Sequence, residues 1–237
     1  MPFFHFETID STNSWLKENW QRLEDMTFVS ADYQSAGRGR RGRRWISPKG
    51  ESLMFSLLVR DEELLSRHQL ISLLAAYSVV QLLNGIGLDE VMIKWPNDVY
   101  AGDRKICGIL LEGVSRPNLQ CLIIGIGLNV NQKRFEGDYR HDPVSVYQLT
   151  GRESDIAGLR SLAYGILTEN LRLLREGHDF LVELKAHDYL QGKSVRALVN
   201  GAEKTVEAVS LNPDGSLRVR VDDRETDITS GEISFHF

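Results

Sequence analysis

The sequence predicts a mixed α/β fold, of the α+β kind, followed by a small all-β domain, and three observations support this prediction. Apolar strand-like runs mix with long helical patterns over the first 190 residues. Of the 237 residues, 42% are hydrophobic and 26% are charged, which is the composition of a globular protein. After Gly192 the chain contains only short alternating segments separated by turn residues. We therefore expect one domain over residues 1–190 and a second over residues 191–237.

Periodicity and turn signals predict the elements of the first domain in order. A strand over residues 3–6 precedes a helix that begins at Asp10-Ser11, and strands over 27–33 and 52–59 flank a loop over 34–50. An amphipathic helix over 70–83 ends before two glycines, and a strand over 91–95 ends at Pro96. The remaining elements are a hairpin over 99–101 and 105–114, an apolar strand over 119–130 that we place at the centre of the sheet, and helices over 159–174 and 180–189.

The second domain is predicted to be a small β-barrel. Strand-like alternation occurs over residues 195–199, 205–209 and 217–221. The turn sequence Asn212-Pro213-Asp214-Gly215 joins the last two strands. About forty residues are close to the lower limit for a domain that folds alone, so we expect this unit to be a small appendage.

The charge of the chain is unevenly distributed. The formal net charge is −5 at pH 7, from 28 basic and 33 acidic residues, and five arginines fall within residues 38–44. Outside this segment 23 basic residues face 33 acidic ones, which leaves a formal charge of −10. A general nucleic-acid-binding protein more often carries a whole basic face, whereas so local a cluster favours a compact anion.

Residues 34–50, which we call the arginine loop, contain the sequence Gly37-Arg38-Gly39-Arg40-Arg41-Gly42-Arg43-Arg44-Trp45. The pattern G-x-G-x-x-G is present, but it opens no helix, so a dinucleotide fingerprint is excluded. A phosphate-binding P-loop is also excluded, because arginines replace the lysine and the hydroxyl that it requires. Glycine backbone and guanidinium groups nevertheless bind phosphate oxygens, and we expect a polyanion to order the loop. The alternative interpretation is a solvated basic loop or an RNA-binding arginine–glycine segment.

Three further motifs carry candidate ligand-binding groups. The first is Lys94-Trp95-Pro96-Asn97-Asp98 with the following Lys105. The Asn97 amide is suited to a purine or a ribose phosphate, and the Lys105 ammonium group is suited to an anion. Two glycines in Gly125-Ile126-Gly127-Leu128-Asn129 indicate a close backbone approach, and Asn129 is a candidate for reading adenine. Ser11-Thr12-Asn13 caps a helix whose N-terminus can donate to a polar ligand. The alternatives are a surface turn, a bulged core strand and a simple helix cap.

Other classes of chemistry lack their motifs. The sequence contains no G-x-S-x-G, no H-E-x-x-H and no cluster of cysteine and histidine, and its two cysteines, Cys107 and Cys121, lie in apolar runs as expected for buried thiols. No signal peptide and no membrane-spanning run is visible, so we expect a cytoplasmic protein with no membrane partner. Catalysis by binding charge and orienting reactants fits better than a covalent mechanism.

Taken together, these motifs resemble those of the biotin–protein ligases (biotin–[acetyl-CoA-carboxylase] ligases). The resemblance runs from about residue 3 to the C-terminus, and it includes the closing motif Gly231-Glu232-Ile233-Ser234. It implies a catalytic domain of the class II aminoacyl-tRNA synthetase type and an SH3-like C-terminal domain. Some members carry an N-terminal winged-helix DNA-binding domain. Because the first strand begins at residue 3, we expect a ligase without repressor activity and without a DNA partner.

The family reaction implies ATP and biotin as substrates, with Mg²⁺ accompanying ATP and no metal ligands in the protein. Biotinyl-5′-AMP and pyrophosphate form first, and a lysine of a biotin carboxyl carrier protein then takes the biotin and releases AMP. Pairing of strand edges between two copies would give a homodimer. By resemblance the biotin-binding residues are Ser11, Thr12, Asn13, Gln34, Arg38, Gly39, Arg40 and Lys105; the ATP- and adenylate-binding residues are Arg38, Arg40, Arg43, Trp45, Asn97, Lys105 and Asn129; Arg41, Arg43 and Arg44 face pyrophosphate; and Lys105 and Arg40 are catalytic.

Three alternative functions remain open from the sequence. A lipoate–protein ligase shares the fold family, but an apolar acyl chain has no need for the polar groups at Ser11, Thr12 and Gln34. A nucleic-acid-binding module would use Arg38–Arg44 as a basic arm and would bind with a steep dependence on salt. A non-catalytic biotin sensor would bind biotin without forming AMP.

Overall fold

A seven-stranded mixed sheet organises the first part of the chain in the computed structural model, which describes residues 2–115, 118–137, 139, 141–199 and 202–229. The strands of this sheet are β1 (Phe3–Phe6), β2 (Phe28–Ala31), β3 (Ser52–Val59), β4 (Val91–Lys94), β5 (Asp98–Ala101), β6 (Arg104–Ser115) and β7 (Leu119–Asn129). The helices are α1 (Thr12–Asn19), α2 (Glu62–Ser66), α3 (His68–Asn84), α4 (Val146–Thr150), α5 (Ile156–Arg175) and α6 (Leu181–Ala186).

The order of strands in the sheet is β1-β2-β3-β7-β6-β5-β4. β1 pairs with β2 in parallel, and every other pair in this sheet is antiparallel. β7 is the fourth of the seven strands, which confirms the prediction that the apolar run over residues 119–130 lies at the centre. The predicted mixed α/β architecture is also confirmed.

The two faces of the sheet have different roles because side chains alternate along each strand. On β7, Ile124, Ile126 and Leu128 belong to the main core, which α3 and α5 cover. The intervening residues Gly125 and Gly127 lie on the opposite face, where α1 packs over part of the sheet. We call this second face the site face. Its small residues leave space between the sheet and the arginine loop.

The prediction that residues 70–83 form an amphipathic helix is wrong in one respect. The helix is present as α3, but it is buried around most of its circumference, because the sheet and α5 cover it. The predicted helix over residues 180–189 is shorter than expected and spans Leu181–Ala186. The two five-residue helices α2 and α4 were not predicted, because one or two turns are too short to show a helical period.

The C-terminal part forms a four-stranded antiparallel sheet. Its strands are β8 (Ser194–Val199), β9 (Ala202–Leu211), β10 (Leu217–Val221) and β11 (Arg224–Ile228), in the order β11-β10-β9-β8. β11 was not predicted, because its sequence Arg-Glu-Thr-Asp-Ile is polar at four of five positions. The turn before β10 packs against the segment after β4, where Trp95 Nε1 donates to Gly215 O at 3.0 Å. No helix within the described ranges is long and apolar enough to cross a bilayer.

Candidate functional site

Two cavities adjoin on the site face of the sheet. The larger has a volume of about 460 Å³ and lies between the arginine loop, the turn after β4 and the segment that follows β7. The smaller has a volume of about 30 Å³ and lies against the N-terminus of α1 and the glycines of β7. Both cavities share one wall, which consists of Arg38, Trp45, Gly108 and Leu110. The arrangement places uncharged polar groups at one end of the site and cations at the other.

The small cavity is lined by a connected set of uncharged polar groups. Thr12 donates to Gln34 Oε1 through its backbone N–H at 2.8 Å, and its hydroxyl oxygen lies 3.1 Å from the same atom. The Ser56 hydroxyl lies 2.7 Å from Thr12 Oγ1 and donates to Asn13 Oδ1 at 2.6 Å. Ser11 caps α1 by accepting a hydrogen bond from the Ser14 N–H at 3.4 Å, so its predicted capping role is confirmed. These bonds hold several donors and acceptors in fixed positions at one end of the site.

The arginine loop folds back on itself above the larger cavity. Gly39 N–H donates to Arg43 O at 2.8 Å and Trp45 N–H donates to Gly37 O at 3.0 Å, which gives the loop the form of a short, irregular hairpin. The guanidinium group of Arg38 lies 3.0 Å from Glu112 Oε1. Together the loop residues place several positive charges around one concave space, which a phosphate chain would neutralise.

The turn between β4 and β5 anchors the centre of this loop. Arg40 Nη1 donates to Asn97 Oδ1 at 2.8 Å, and Asn97 Nδ2 in turn donates to Ile109 O at 2.7 Å. Burial lowers the pKa of the Arg40 guanidinium, the nearby carboxylate of Asp98 opposes that shift, and two neighbouring arginines add to it. Asn97 therefore fixes the position of Arg40 rather than pointing freely into the cavity.

Lys105 reaches the site face because β6 contains a bulge. The adjacent β5 residues Tyr100 and Val99 pair with Lys105 and Cys107. Ile106 lies between these two and has no partner on β5, so it is an extra residue of β6. An extra residue shifts the alternation of side chains by one position, and both Ile106 and Cys107 belong to the main core. Lys105 Nζ consequently lies over the site face, 3.1 Å from the position of a Cβ atom at Gly108. It also pairs with Asp98 Oδ1 at 2.7 Å.

The indole ring of Trp45 forms part of the wall between the two cavities. A Cβ atom added at Gly127 would lie 2.6 Å from Trp45 Cε2, and one added at Gly108 would lie 3.2 Å from Trp45 Cζ3. Gly127 is therefore needed for the indole to approach the sheet this closely, and a side chain at Gly108 would crowd the same ring. Trp45 Nε1 is buried and finds no hydrogen-bond acceptor within the part of the chain that the structure describes. This leaves one donor available to a ligand.

Asn129 lies at the edge of the larger cavity and is held by the protein. Its Nδ2 donates to Val144 O at 3.0 Å, and its Oδ1 accepts from Gln132 Nε2 at 3.2 Å. Gln132 also contacts Ser47 and Ser52, which lie at the end of the arginine loop and the start of β3. A buried polar network thus connects Asn129 to the C-terminal end of the loop.

The structure brings all the predicted site residues together in the two cavities. The small cavity contains Ser11, Thr12, Asn13 and Gln34, and the large one contains Gly39, Arg40, Arg43, Asn97, Lys105 and Asn129, while Arg38 and Trp45 line both. The closing motif Gly231-Glu232-Ile233-Ser234 lies outside the described residues. Cys107 and Cys121 are free and buried, as predicted. Burial raises the pKa of both thiols, so neither is an activated nucleophile.

Sequence reasoning missed three polar residues of the site, Ser56, Glu112 and Gln132. Ser56 and Glu112 each interrupt an apolar strand, and both lie at site-face positions when the alternation is followed from the neighbouring glycines. That interruption is a signal that the sequence offers. Gln132 has no comparable signal, because it lies in an irregular segment and its partners are distant in the chain.

The fold and the site define a class of protein, and comparison with known families agrees with it. Residues 5–129 match the biotin/lipoate A/B protein ligase family, and residues 191–236 match the biotin protein ligase C-terminal domain. This chain belongs to the biotin/lipoate A/B protein ligase family.

Individual relatives are similar over most of the chain. The bifunctional ligase/repressor BirA of Salmonella typhimurium is 31% identical over 95% of this chain and 72% of its own length. The biotin–[acetyl-CoA-carboxylase] ligase of Mycobacterium tuberculosis is 29% identical over 88% of this chain and 79% of its own length. A structure of biotin protein ligase from Aquifex aeolicus in complex with biotin and ATP has a TM-score of 0.87 and 29% identity, covering 98% of this chain and 97% of that one.

Proposed function

We propose that this protein is a biotin–protein ligase, which uses ATP to attach biotin to a lysine of an acceptor protein. The observation that carries the proposal is the pair of adjoining cavities, one lined by uncharged donors and acceptors and the other by cations. Biotin has a polar ureido ring at one end and a carboxylate at the other, and ATP is a polyanion. The shared wall at Arg38 and Trp45 lies where the carboxylate and the α-phosphate have to meet.

The reaction has two steps. The biotin carboxylate attacks the α-phosphorus of ATP, a new P–O bond forms, and the bond to the β-phosphate breaks to release pyrophosphate. The amine of the acceptor lysine then attacks the acyl carbon, and AMP leaves with the electrons of the C–O bond. Both substrates of the first step are anions, so cations that neutralise them lower the barrier and preorganised donors stabilise the transition state. A closed site also keeps water away from the mixed anhydride.

We assign roles to residues by their place in the two cavities. Thr12 and Gln34 hold the ureido ring, with Ser11 and Asn13 supporting them. Lys105 binds the carboxylate and then the phosphate oxygen of the adenylate. Arg38, Gly39 and Arg40 line both the biotin and the adenylate phosphate. The remaining groups face the nucleotide: Asn97, Asn129 and Trp45 at the adenine side, and Arg41, Arg43 and Arg44 at pyrophosphate.

Entry of biotin requires Trp45 to move. The small cavity has a volume of about 30 Å³, whereas a single water requires about 10–15 Å³ of the same kind of space. A bicyclic ring needs several times more. Because the Trp45 indole lies on the glycines beside this cavity, displacement of the arginine loop is the step that makes room. The loop then closes again over both substrates.

Further features of this proposal concern the architecture and the setting. We propose that the first domain, residues 1–190, has the class II aminoacyl-tRNA synthetase type of fold, and that residues 191–237 form an SH3-like domain. The acceptor is a biotin carboxyl carrier protein, the site of action is the cytoplasm, and two copies associate as a homodimer. Magnesium enters with the phosphates of ATP, since the described residues bring no three metal-ligating side chains together, and no step above is routed through it.

The alternative functions are less well supported. Lipoate carries no polar ring at the end of its chain, so it would leave the donors and acceptors of the small cavity without partners. The C-terminal match is to a biotin protein ligase domain. A nucleic-acid-binding arm would present its arginines outward, whereas the arginines of this loop line a concave space.

The test is incubation of the purified protein with ATP, biotin and a biotin carboxyl carrier domain, followed by mass spectrometry of the carrier. We expect one biotin to be added at one lysine, with AMP and pyrophosphate as products. Lipoate supplied in place of biotin is the matched control and is expected to give no modification. Binding of biotin without release of pyrophosphate would instead indicate a sensor, and modification by lipoate would overturn the assignment.

A further inference from the structure

A single carboxylate connects the small cavity to the arginine loop. Glu112 lies on β6 at a site-face position, and its side chain is 13% exposed. Its Oε2 accepts from Asn13 Nδ2 at 2.9 Å. Its Oε1 lies 3.0 Å from Arg38 Nη2 and 3.7 Å from Lys17 Nζ. One side chain therefore touches both a residue of the small cavity and the arginine on the wall between the cavities.

The contact with Asn13 determines how the polar groups of the small cavity are oriented. An amide presents a donor and an acceptor that exchange places when it rotates, whereas an ionised carboxylate only accepts. Glu112 is the nearer of two acceptors of Asn13 Nδ2, the other being Leu110 O at 3.4 Å, and together they turn Asn13 Oδ1 toward Ser56. Because Ser56 has one hydroxyl proton and Asn13 Oδ1 only accepts, that proton is committed to Asn13. Thr12 Oγ1 lies 2.7 Å from Ser56 Oγ, so the Thr12 hydroxyl is the donor between these two oxygens.

The contact with Arg38 determines where a mobile cation lies. The Arg38 side chain is 44% exposed, and a long exposed side chain would otherwise occupy many rotamers. The ion pair with Glu112 holds the guanidinium group over the rim of the small cavity. Arg38 lines both this cavity and the larger one. The same carboxylate thus places the cation at the point where the acid end of a ligand leaves the small cavity.

We infer that Glu112 is a positioning residue for the carboxylic-acid substrate: through Asn13 and Arg38 it fixes both ends of the acid-binding site without touching the nucleotide. This inference rests on the proposed function, because it assigns biotin to the small cavity. It predicts an effect on the acid substrate that is separate from any effect on ATP. A purely structural role would lower stability and affect both substrates equally.

The experiment compares the wild-type protein with Glu112→Gln, which keeps the size of the side chain and removes its charge. We expect KM for biotin to rise about tenfold, a factor equal to about 1.4 kcal/mol and close to one hydrogen bond to a charged group. KM for ATP is expected to change less than twofold. Lys17→Ala is the matched control, because Lys17 contacts the same carboxylate from outside the cavities, and both constants are expected to stay unchanged.

A second variant, Glu112→Asp, keeps the charge but withdraws it by one methylene group, and its KM for biotin is expected to lie between those of the wild type and Glu112→Gln. Thermal unfolding of each variant establishes that it is folded. An unchanged KM for biotin in either folded variant, or an equal rise in both KM values, would overturn the inference. Absence of carrier modification by the wild-type protein would instead overturn the proposed function, so the two failures are distinguishable.

Discussion

Lys105 Nζ lies 2.7 Å from Asp98 Oδ1, and the bulge at Ile106 is what turns the lysine toward this carboxylate. The side chains of Lys105 and Asp98 are 26% and 16% exposed, so the pair is partly shielded from solvent. A ligand carboxylate that enters the site competes with Asp98 for the same ammonium group. The pair thus keeps the cation in place before the acid arrives.

Replacement of Lys105 by alanine is expected to slow adenylate formation by about 10²- to 10³-fold, because one preorganised charge at the reacting oxygens is lost. KM for ATP should change little, since the arginines remain. Biotin-dependent exchange of pyrophosphate into ATP measures this step. Lys49→Ala is the control, because Lys49 lies on the arginine loop but pairs with Glu7 at 3.6 Å, and it should retain full activity. Unchanged turnover in Lys105→Ala would remove this residue from the site.

Arg40→Gly is expected to release the adenylate from the enzyme, because the loop loses the bond that ties it to Asn97. Released biotinyl-5′-AMP acylates unrelated lysines, so biotin should appear on a bystander protein such as serum albumin. Asn97→Ala tests the anchor separately. If the two residues act through one hydrogen bond, the double variant should leak no faster than the worse single variant. Adenylate release at the wild-type rate would show that the loop needs no such anchor.

Gly127→Ala should displace Trp45, since a Cβ atom at this position would lie 2.6 Å from the indole. We expect KM for ATP to rise about tenfold or more, with a loss of stability of about 1–3 kcal/mol from overpacking. A suitable control is Gly165→Ala in α5, where a Cβ atom meets no atom within 4 Å. That variant should be stabilised by about 1 kcal/mol, since alanine favours a helix. Normal ATP kinetics in Gly127→Ala would separate Trp45 from the nucleotide.

Asp188 is expected to lower stability at neutral pH. Burial raises its pKa to about 6, while the backbone N–H of Leu190 and the charge of Lys193 oppose that shift. The folded chain therefore holds a proton that the unfolded chain releases near pH 4, and stability falls as the pH rises from about 4 to 6. An asparagine side chain can also accept from the Leu190 N–H. The free energy of unfolding of Asp188→Asn should therefore exceed that of the wild type by up to about 3 kcal/mol at pH 7.5 and equal it at pH 4.

Urea unfolding at both pH values measures this effect. Asp89→Asn, at an exposed position, is the control and should leave the pH dependence unchanged. A gain of equal size at pH 4 and pH 7.5 would show that titration of Asp188 is not the cause.

Biotin and ATP together should slow amide hydrogen exchange in the arginine loop more than ATP alone does, because the adenylate spans both cavities that the loop lines. Peptides from residues 35–46 should become protected, while those from β10 should exchange at the same rate with and without ligands. If ATP alone protected these peptides equally well, the loop would be ordered by the nucleotide and not by the adenylate.

The extent of the central elements was predictable because their signals are local. β7 shows this best, since its long apolar run predicted a central strand, and Gly125 and Gly127 within that run indicated a close approach to its backbone. β3 was predicted over residues 52–59 and found there, because eight buried residues between polar flanks leave no other interpretation.

Other features depend on contacts between distant residues and were not predictable. The position of Lys105 depends on one extra residue in β6, and no local pattern marks Ile106 as that residue. The helix α3 was misjudged, because a few polar residues on its surface suggested a solvent-facing side that the sheet and α5 in fact cover. Glu112 was missed because its role depends on Asn13, 99 positions away in the sequence.

The contact between Trp95 and Gly215 ties the small C-terminal sheet to the turn that carries Asn97. Gly215 adopts a φ of 86°, and a Cβ atom there would lie 3.0 Å from the backbone of Leu70, so the turn fits closely against the start of α3. A fragment that ends at residue 190 would leave the Trp95 indole N–H without its acceptor. Trp95 lies two residues before Asn97, whose side-chain amide holds Arg40. Shortening the protein to residues 1–190 would therefore weaken the support of the turn that positions Arg40.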